Sequence, residues 1–179
     1  MRVLCYGDSN TYGYDPRSFF GGRYPAESRW VEILAELTGW EIVNGGENGL
    51  EIPKRYSGPL WAQIPDLLIV MLGSNDILQG LSAEEAAEQM ECFLEFLPIQ
   101  RGRILLIAPP HMKWGAWITE ERELEETARL GAAYERVAKT LGIAFADAGK
   151  WEISLTFDGV HFDENGHRTF AQELYKILT

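Results

Sequence analysis

Short runs of apolar residues alternate with longer segments whose apolar positions recur at helical spacing. Residues 2–6 (RVLCY) form the first run and read as a strand. In residues 28–37 the side chains of Trp30, Ile33, Leu34 and Leu37 fall on one helical face. Residues 41–44 (EIVN) predict a short second strand. Residues 66–72 (DLLIVML) and 103–108 (RILLIA) are apolar almost throughout, as expected of strands buried on both faces of a parallel sheet. Ser82, with Glu85 three residues on, makes a capping box and predicts a helix to about Leu97, ahead of Pro98. Residues 119–141 read as a long helix ended by Gly142, and residues 143–146 (IAFA) as a fifth strand. Asp163 caps a last helix that runs to about Leu178.

Strand and helix in alternation predict an α/β fold: a three-layer α/β/α sandwich around a flavodoxin-like, five-stranded parallel sheet. Residues 1–179 are expected to form one domain, since no linker, repeat or low-complexity tract interrupts them. In such sheets ligands sit beyond the carboxyl ends of the strands, where the strand order reverses.

Small polar residues and glycines gather at that edge. Gly7-Asp8-Ser9-Asn10 follows the first strand and Asn44-Gly45-Gly46-Glu47-Asn48-Gly49 the second. Gly73-Ser74-Asn75-Asp76 follows the third, where a turn is expected. Asp158-Gly159-Val160-His161 lies between the fifth strand and the last helix. Acyl transfer needs a nucleophile, a base, a group that orients the base, and donors for an oxyanion. Ser9, at a helix start, fits the first role and His161 the second. Asp158, three residues earlier on a tight loop, can hold the imidazole tautomer that leaves Nε2 free for Ser9. The Asn75 amide, the Gly49 backbone N–H and the Ser9 N–H are the candidate oxyanion donors.

Each piece has a plainer reading. Ser9 can be a helix cap, Asn75 a turn residue, Gly49 a turn marker, and Asp-x-x-His a surface pair. Asp147, at the end of the fifth strand, competes with Asp158 as the acid, but spacing from His161 favours Asp158. Asp8 can organise its turn by hydrogen bonding, and Asp76 can anchor its own loop. His111 reads as a loop histidine and His167 as structural. What moves the balance is the arrival of the four blocks at one sheet edge.

These four blocks, in this order and spanning nearly the whole chain, resemble the SGNH hydrolase superfamily, also called the GDSL esterase/lipase family. The family's Ser, Gly, Asn and His map onto Ser9, Gly49, Asn75 and His161. The resemblance implies a Ser9–His161–Asp158 triad and an oxyanion hole from Ser9, Gly49 and Asn75. It implies a small-molecule ester substrate and no metal or organic cofactor. Asn10 stands where the family name has Leu, and is expected to tune the substrate pocket. The Arg23-Tyr24 and Arg29-Trp30 pairs resemble the bacterial arylesterase and acyltransferase branch, which implies a homo-oligomer.

Aromatic residues collect in the loops: Tyr12, Tyr14, Phe19, Phe20, Trp61, Trp114 and Trp117. They suit loop packing, a subunit interface or an apolar acyl or aryl pocket. Trp114 and Trp117 are the candidate pocket residues, on a lid-like segment at 113–117. The acidic start of the long helix, from Glu120 to Glu126, reads as a solvated face favoured by the helix dipole.

Composition narrows the partners. The formal net charge of −11 argues against nucleic acid and anionic membranes, which need a basic patch. Cys5 and Cys92 lack any metal-binding spacing and read as reduced thiols. The longest apolar run is too short to span a bilayer, and the first one breaks at Gly7, unlike a signal peptide. A cytoplasmic location is therefore expected. Two rival functions remain: a metal-dependent phosphoesterase, poorly served by three histidines, and a non-catalytic carbohydrate- or acyl-binding module on the same fold.

Overall fold

The computed structural model describes residues 1–18, 20–54 and 63–179. Two of the loop aromatics, Phe19 and Trp61, lie outside these residues. Among the described residues five strands form one sheet: β1 (Arg2–Gly7), β2 (Glu41–Gly46), β3 (Leu67–Met71), β4 (Ile104–Ala108) and β5 (Ala144–Asp147). Their order is β2-β1-β3-β4-β5, and every pairing is parallel. This is the flavodoxin-like arrangement expected from the alternation of elements.

Among the described residues, six α-helices accompany the strands: α1 (Ser9–Tyr12), α2 (Trp30–Thr38), α3 (Ser74–Leu78), α4 (Ala83–Glu95), α5 (Glu121–Leu141) and α6 (Glu164–Leu178). Alternation along the strands sorts the core into two layers. Leu68, Val70, Leu72, Ile104 and Leu106 join Met90, Phe93, Leu130 and Tyr134 of α4 and α5 on one face. Val3, Cys5, Ile69, Met71, Leu105 and Ile107 join Trp30, Leu34, Phe170 and Leu174 of α2 and α6 on the other. Because side chains alternate across a strand, near-continuous apolar runs are what a sheet covered on both faces requires.

Several boundaries differ from the sequence reading for local reasons. The segment expected as a helix over 28–37 splits. Ala26–Ser28 is a 3-10 turn, Arg29 is extended, and α2 starts at Trp30 and ends on the left-handed Gly39. Ser82 and Glu85 do form the reciprocal capping box at the start of α4. The long helix begins at Glu121 rather than 119, and no side chain caps it. The Gly73–Asp76 block is not a turn: its last three residues open α3, with Gly73 as the N-cap residue.

Strand order reverses at β1, which has β2 on one side and β3 on the other. Ser9 leaves the end of β1 and Asn75 the end of β3, so both stand at this switch point. The chain after β5 reaches it by returning across the sheet, because α6 packs against α2. Among the described residues, no helix is long and apolar enough to cross a membrane.

Candidate active site

The turn from β1 into α1 is capped by Asp8, not by Ser9. The Asp8 carboxylate accepts the N–H of Asn10 at 2.9 Å. Gly7 permits the tight exit, because a Cβ there would sit 2.2 Å from Thr11 Oγ1 and 2.7 Å from the Met71 carbonyl. With the cap supplied by its neighbour, the Ser9 hydroxyl is free for another partner. It meets His161 Nε2 at 2.9 Å.

His161 is fixed from the opposite side. Its Nδ1 lies 2.7 Å from Asp158 Oδ2, while Asp158 Oδ1 accepts the backbone N–H groups of Val160 and His161, each at 2.9 Å. Both side chains are buried. Burial opposes ionisation of Asp158. The His161 ring and the two backbone N–H groups outweigh that and hold its pKa down at about 2. Asp147 takes no part: it accepts the N–H of Gly149 and pairs with Lys150. Tyr14 and Trp117 pack on the imidazole, with ring centroids 4.8 and 4.9 Å away.

These groups line a cleft of about 260 Å³. Ser9 and His161 form one wall, Tyr14 and Trp117 the aromatic sides, and Asn48, Gly49 and Asn75 the polar end. Gly49 adopts φ +75°, a left-handed conformation that glycine takes without strain. Asn75 Nδ2 donates to the Leu50 carbonyl at 3.0 Å, which leaves its second hydrogen unengaged. Both Asp76 carboxylate oxygens accept the N–H of Ile52, at 3.1 and 3.2 Å. Asp76 therefore also anchors the loop after Gly49. The first two residues after Ser74 on α3 thus set the position of the glycine loop. No acceptor among the described residues takes the backbone N–H of Ser9 or Gly49.

Two expected pocket residues lie elsewhere. Asn10 does not line the cleft; its side chain is 4 % exposed and turned toward the loop that carries His161. The physical cause is the helical turn of α1, which sends adjacent side chains in different directions. Trp114 is 62 % exposed and stands outside the lining, whereas Trp117, three residues on, reaches the imidazole. Asn48 and Tyr14 complete the cleft without having been singled out as pocket residues. The only signals for them in the sequence are a place beside Gly49 and a place among the loop aromatics.

The unused polar groups are also informative. Asp8 is buried, and burial pushes its pKa up to about 6 against the hydrogen bond from Asn10 and the nearby His161. His167 is fully buried between the rings of Tyr24 and Phe162. Burial pushes its pKa down to about 3, so the ring is neutral at physiological pH. Among the described residues, no three His, Cys, Asp or Glu side chains are grouped as a metal ion would need.

The family model of GDSL-like lipases and acylhydrolases matches residues 5–169. Comparison with curated proteins gives no match. Among solved structures, a candidate arylesterase from Agrobacterium tumefaciens str. C58 is 32 % identical with a TM-score of 0.84, covering 99 % of this chain and 97 % of its own. A carbohydrate acetylesterase family member from Sinorhizobium meliloti is 26 % identical with a TM-score of 0.80, covering 99 % and 96 %. The aryl esterase of M. smegmatis shares the fold at 23 % identity and a TM-score of 0.80, covering 99 % and 97 %. Matched over most of its length, the chain belongs to the GDSL-like lipase/acylhydrolase family.

Proposed function

We propose that this chain is a serine hydrolase that cleaves carboxylic esters of small or acetylated substrates through an acyl-enzyme intermediate. The observation that carries this reading is the hydrogen-bonded series from Ser9 through His161 to Asp158, opening onto a cleft with uncommitted N–H donors. Ser9 Oγ attacks the ester carbonyl while His161 Nε2 takes its proton. Asp158 keeps Nδ1 protonated and stabilises the imidazolium that forms. The tetrahedral oxyanion accepts hydrogen bonds from the N–H groups of Ser9 and Gly49 and from Asn75 Nδ2. Collapse releases the alcohol, protonated by His161. Water then attacks the acyl-enzyme with His161 as base and frees Ser9. No step calls on a metal or organic cofactor.

The cleft volume of about 260 Å³ suits a short acyl group, and its aromatic sides suit an aryl or sugar leaving group. The arylesterase and acetylesterase named above point the same way. In this reading residues 1–179 act as one domain, and the exposed Trp114 and Phe157 serve contact between copies of the chain. The acidic charge disfavours nucleic acid, and the two free thiols suit the reducing cytoplasm.

The test is turnover of p-nitrophenyl acetate by the wild type and by Ser9→Ala. Loss of turnover in Ser9→Ala, with stoichiometric labelling of the wild type at Ser9 by a serine-reactive phosphonate, is the expected result. Wild-type turnover by Ser9→Ala overturns the reading. Loss of activity in EDTA without phosphonate labelling supports a metal-dependent phosphoesterase instead. Absence of any hydrolytic burst supports a binding module.

A further inference from the structure

Asn10 follows Ser9 on α1, yet its side chain turns away from the cleft and is 4 % exposed. A buried amide has to satisfy its donors and acceptor. Asn10 does so with the two residues on either side of His161. Its Nδ2 donates to the Val160 carbonyl at 3.1 Å, and its Oδ1 accepts the Phe162 N–H at 2.8 Å. One amide therefore bonds residues i−1 and i+1 around the histidine, as a residue of a neighbouring parallel strand does. It takes the place of a strand that the sheet does not provide there.

The backbone of Asn10 is equally committed. Its N–H is held by Asp8 at 2.9 Å, and its carbonyl accepts the Trp30 indole N–H at 3.0 Å. Trp30 is buried in the core layer beneath α2 and α6. The amide is thus a rigid strut between the α1 turn and the His161 loop. Asp158 fixes the imidazole within its own loop, but nothing in that bonding sets the distance from the loop to Ser9. The Asn10 bonds span 150 and 152 residues of sequence and link the two pieces directly.

We propose that Asn10 is a positioning residue. By bridging Val160 and Phe162 from the position next to Ser9, it sets the separation between the Ser9 hydroxyl and His161 Nε2. This inference rests on the serine-hydrolase reading above. A displacement of about 1 Å between reacting groups can cost on the order of 100-fold in rate. Asn10→Leu keeps the branched shape, with bulkier methyl ends, and deletes both bonds. Asn10→Asp keeps the acceptor for Phe162 and sets a carboxylate oxygen against the Val160 carbonyl.

The experiment is a double-mutant cycle on p-nitrophenyl acetate, read with the rate of phosphonate labelling at Ser9. Expected are a fall in kcat of about 10- to 100-fold in Asn10→Leu, KM within about threefold, and parallel slowing of labelling. Asn10→Asp should show the same pattern. In a His161→Ala background, where there is no imidazole left to place, Asn10→Leu should not lower the residual rate further. Wild-type kcat and labelling in either folded Asn10 variant overturn the proposal. So does the same fold loss with and without the imidazole, which marks a general structural effect. A wild type that the phosphonate does not label at Ser9 overturns the parent reading, a separate and visible outcome.

Discussion

Asp158 Oδ2 stands 2.7 Å from His161 Nδ1, and both side chains are buried. The carboxylate accepts three hydrogen bonds within four residues of chain, so the imidazole cannot rotate or exchange tautomers freely. Asp158→Asn keeps the shape but offers an amide N–H or a weaker acceptor to Nδ1. The expected result is a fall in kcat on the order of 10³–10⁴ with the fold intact, measured by steady-state kinetics and circular dichroism.

Asn75→Ala removes a proposed oxyanion donor and the bond that holds the Leu50 carbonyl. A loss of about 10²–10³ in kcat is expected, with a stability change of only about 1 kcal/mol for the lost hydrogen bond. Kinetics and urea unfolding separate the two effects.

Asp8 predicts an opposite sign for stability. Its folded pKa, about 6, lies above the ordinary carboxylate value of 3.8. The folded state therefore binds the extra proton between these values, and stability falls as pH rises from about 4 through 6. Asp8→Asn keeps an acceptor for the Asn10 N–H and deletes the buried charge. It should be more stable than the wild type at pH 8, by on the order of 2 kcal/mol, and nearly equal to it at pH 4. Urea midpoints at the two pH values check this.

His167 governs the acid side. Its folded pKa of about 3 lies below the ordinary 6.5, so the unfolded chain takes up the proton first. Stability is complete above about pH 6.5 and is lost as pH falls toward 3. Asp158, with a pKa of about 2 against an ordinary 3.8, adds a loss that begins below about pH 4. His167→Gln can still accept the Trp30 N–H, which the ring takes at 3.4 Å. It should flatten the stability profile between pH 6.5 and 3, as read by thermal unfolding across that range.

Much of this architecture was legible in the chain. The runs at β3 and β4 declared themselves because a strand covered on both faces has no room for polar alternation. The spacing of Asp158 and His161 declared the carboxylate partner, because a tight loop brings residues three apart together. Local pattern failed where tertiary bonds decide. Gly73-Ser74-Asn75-Asp76 has turn composition, and it is helical because α3 packs against α5 and α4 and its polar side chains grip the Leu50–Ile52 backbone. Asn10 looked like a pocket residue because it neighbours Ser9. Its bonding partners are 150 residues away, and no pattern near Gly7–Asn10 encodes them. Trp114 and Trp117 are alike in sequence, and only the fold of their loop distinguishes them.

The pairing of Ser9 with His161 spans 152 residues, nearly the length of the chain. One member follows the first strand and the other lies in the loop just ahead of the last helix. The proposed catalytic pair is therefore a property of the completed topology and not of any substructure. A nascent chain on the ribosome, or one refolding from denaturant, should gain ester-cleaving power only when α6 has docked on α2. Ser9, the proposed nucleophile, stays without its proposed base until the segment that carries His161 has folded back to meet it.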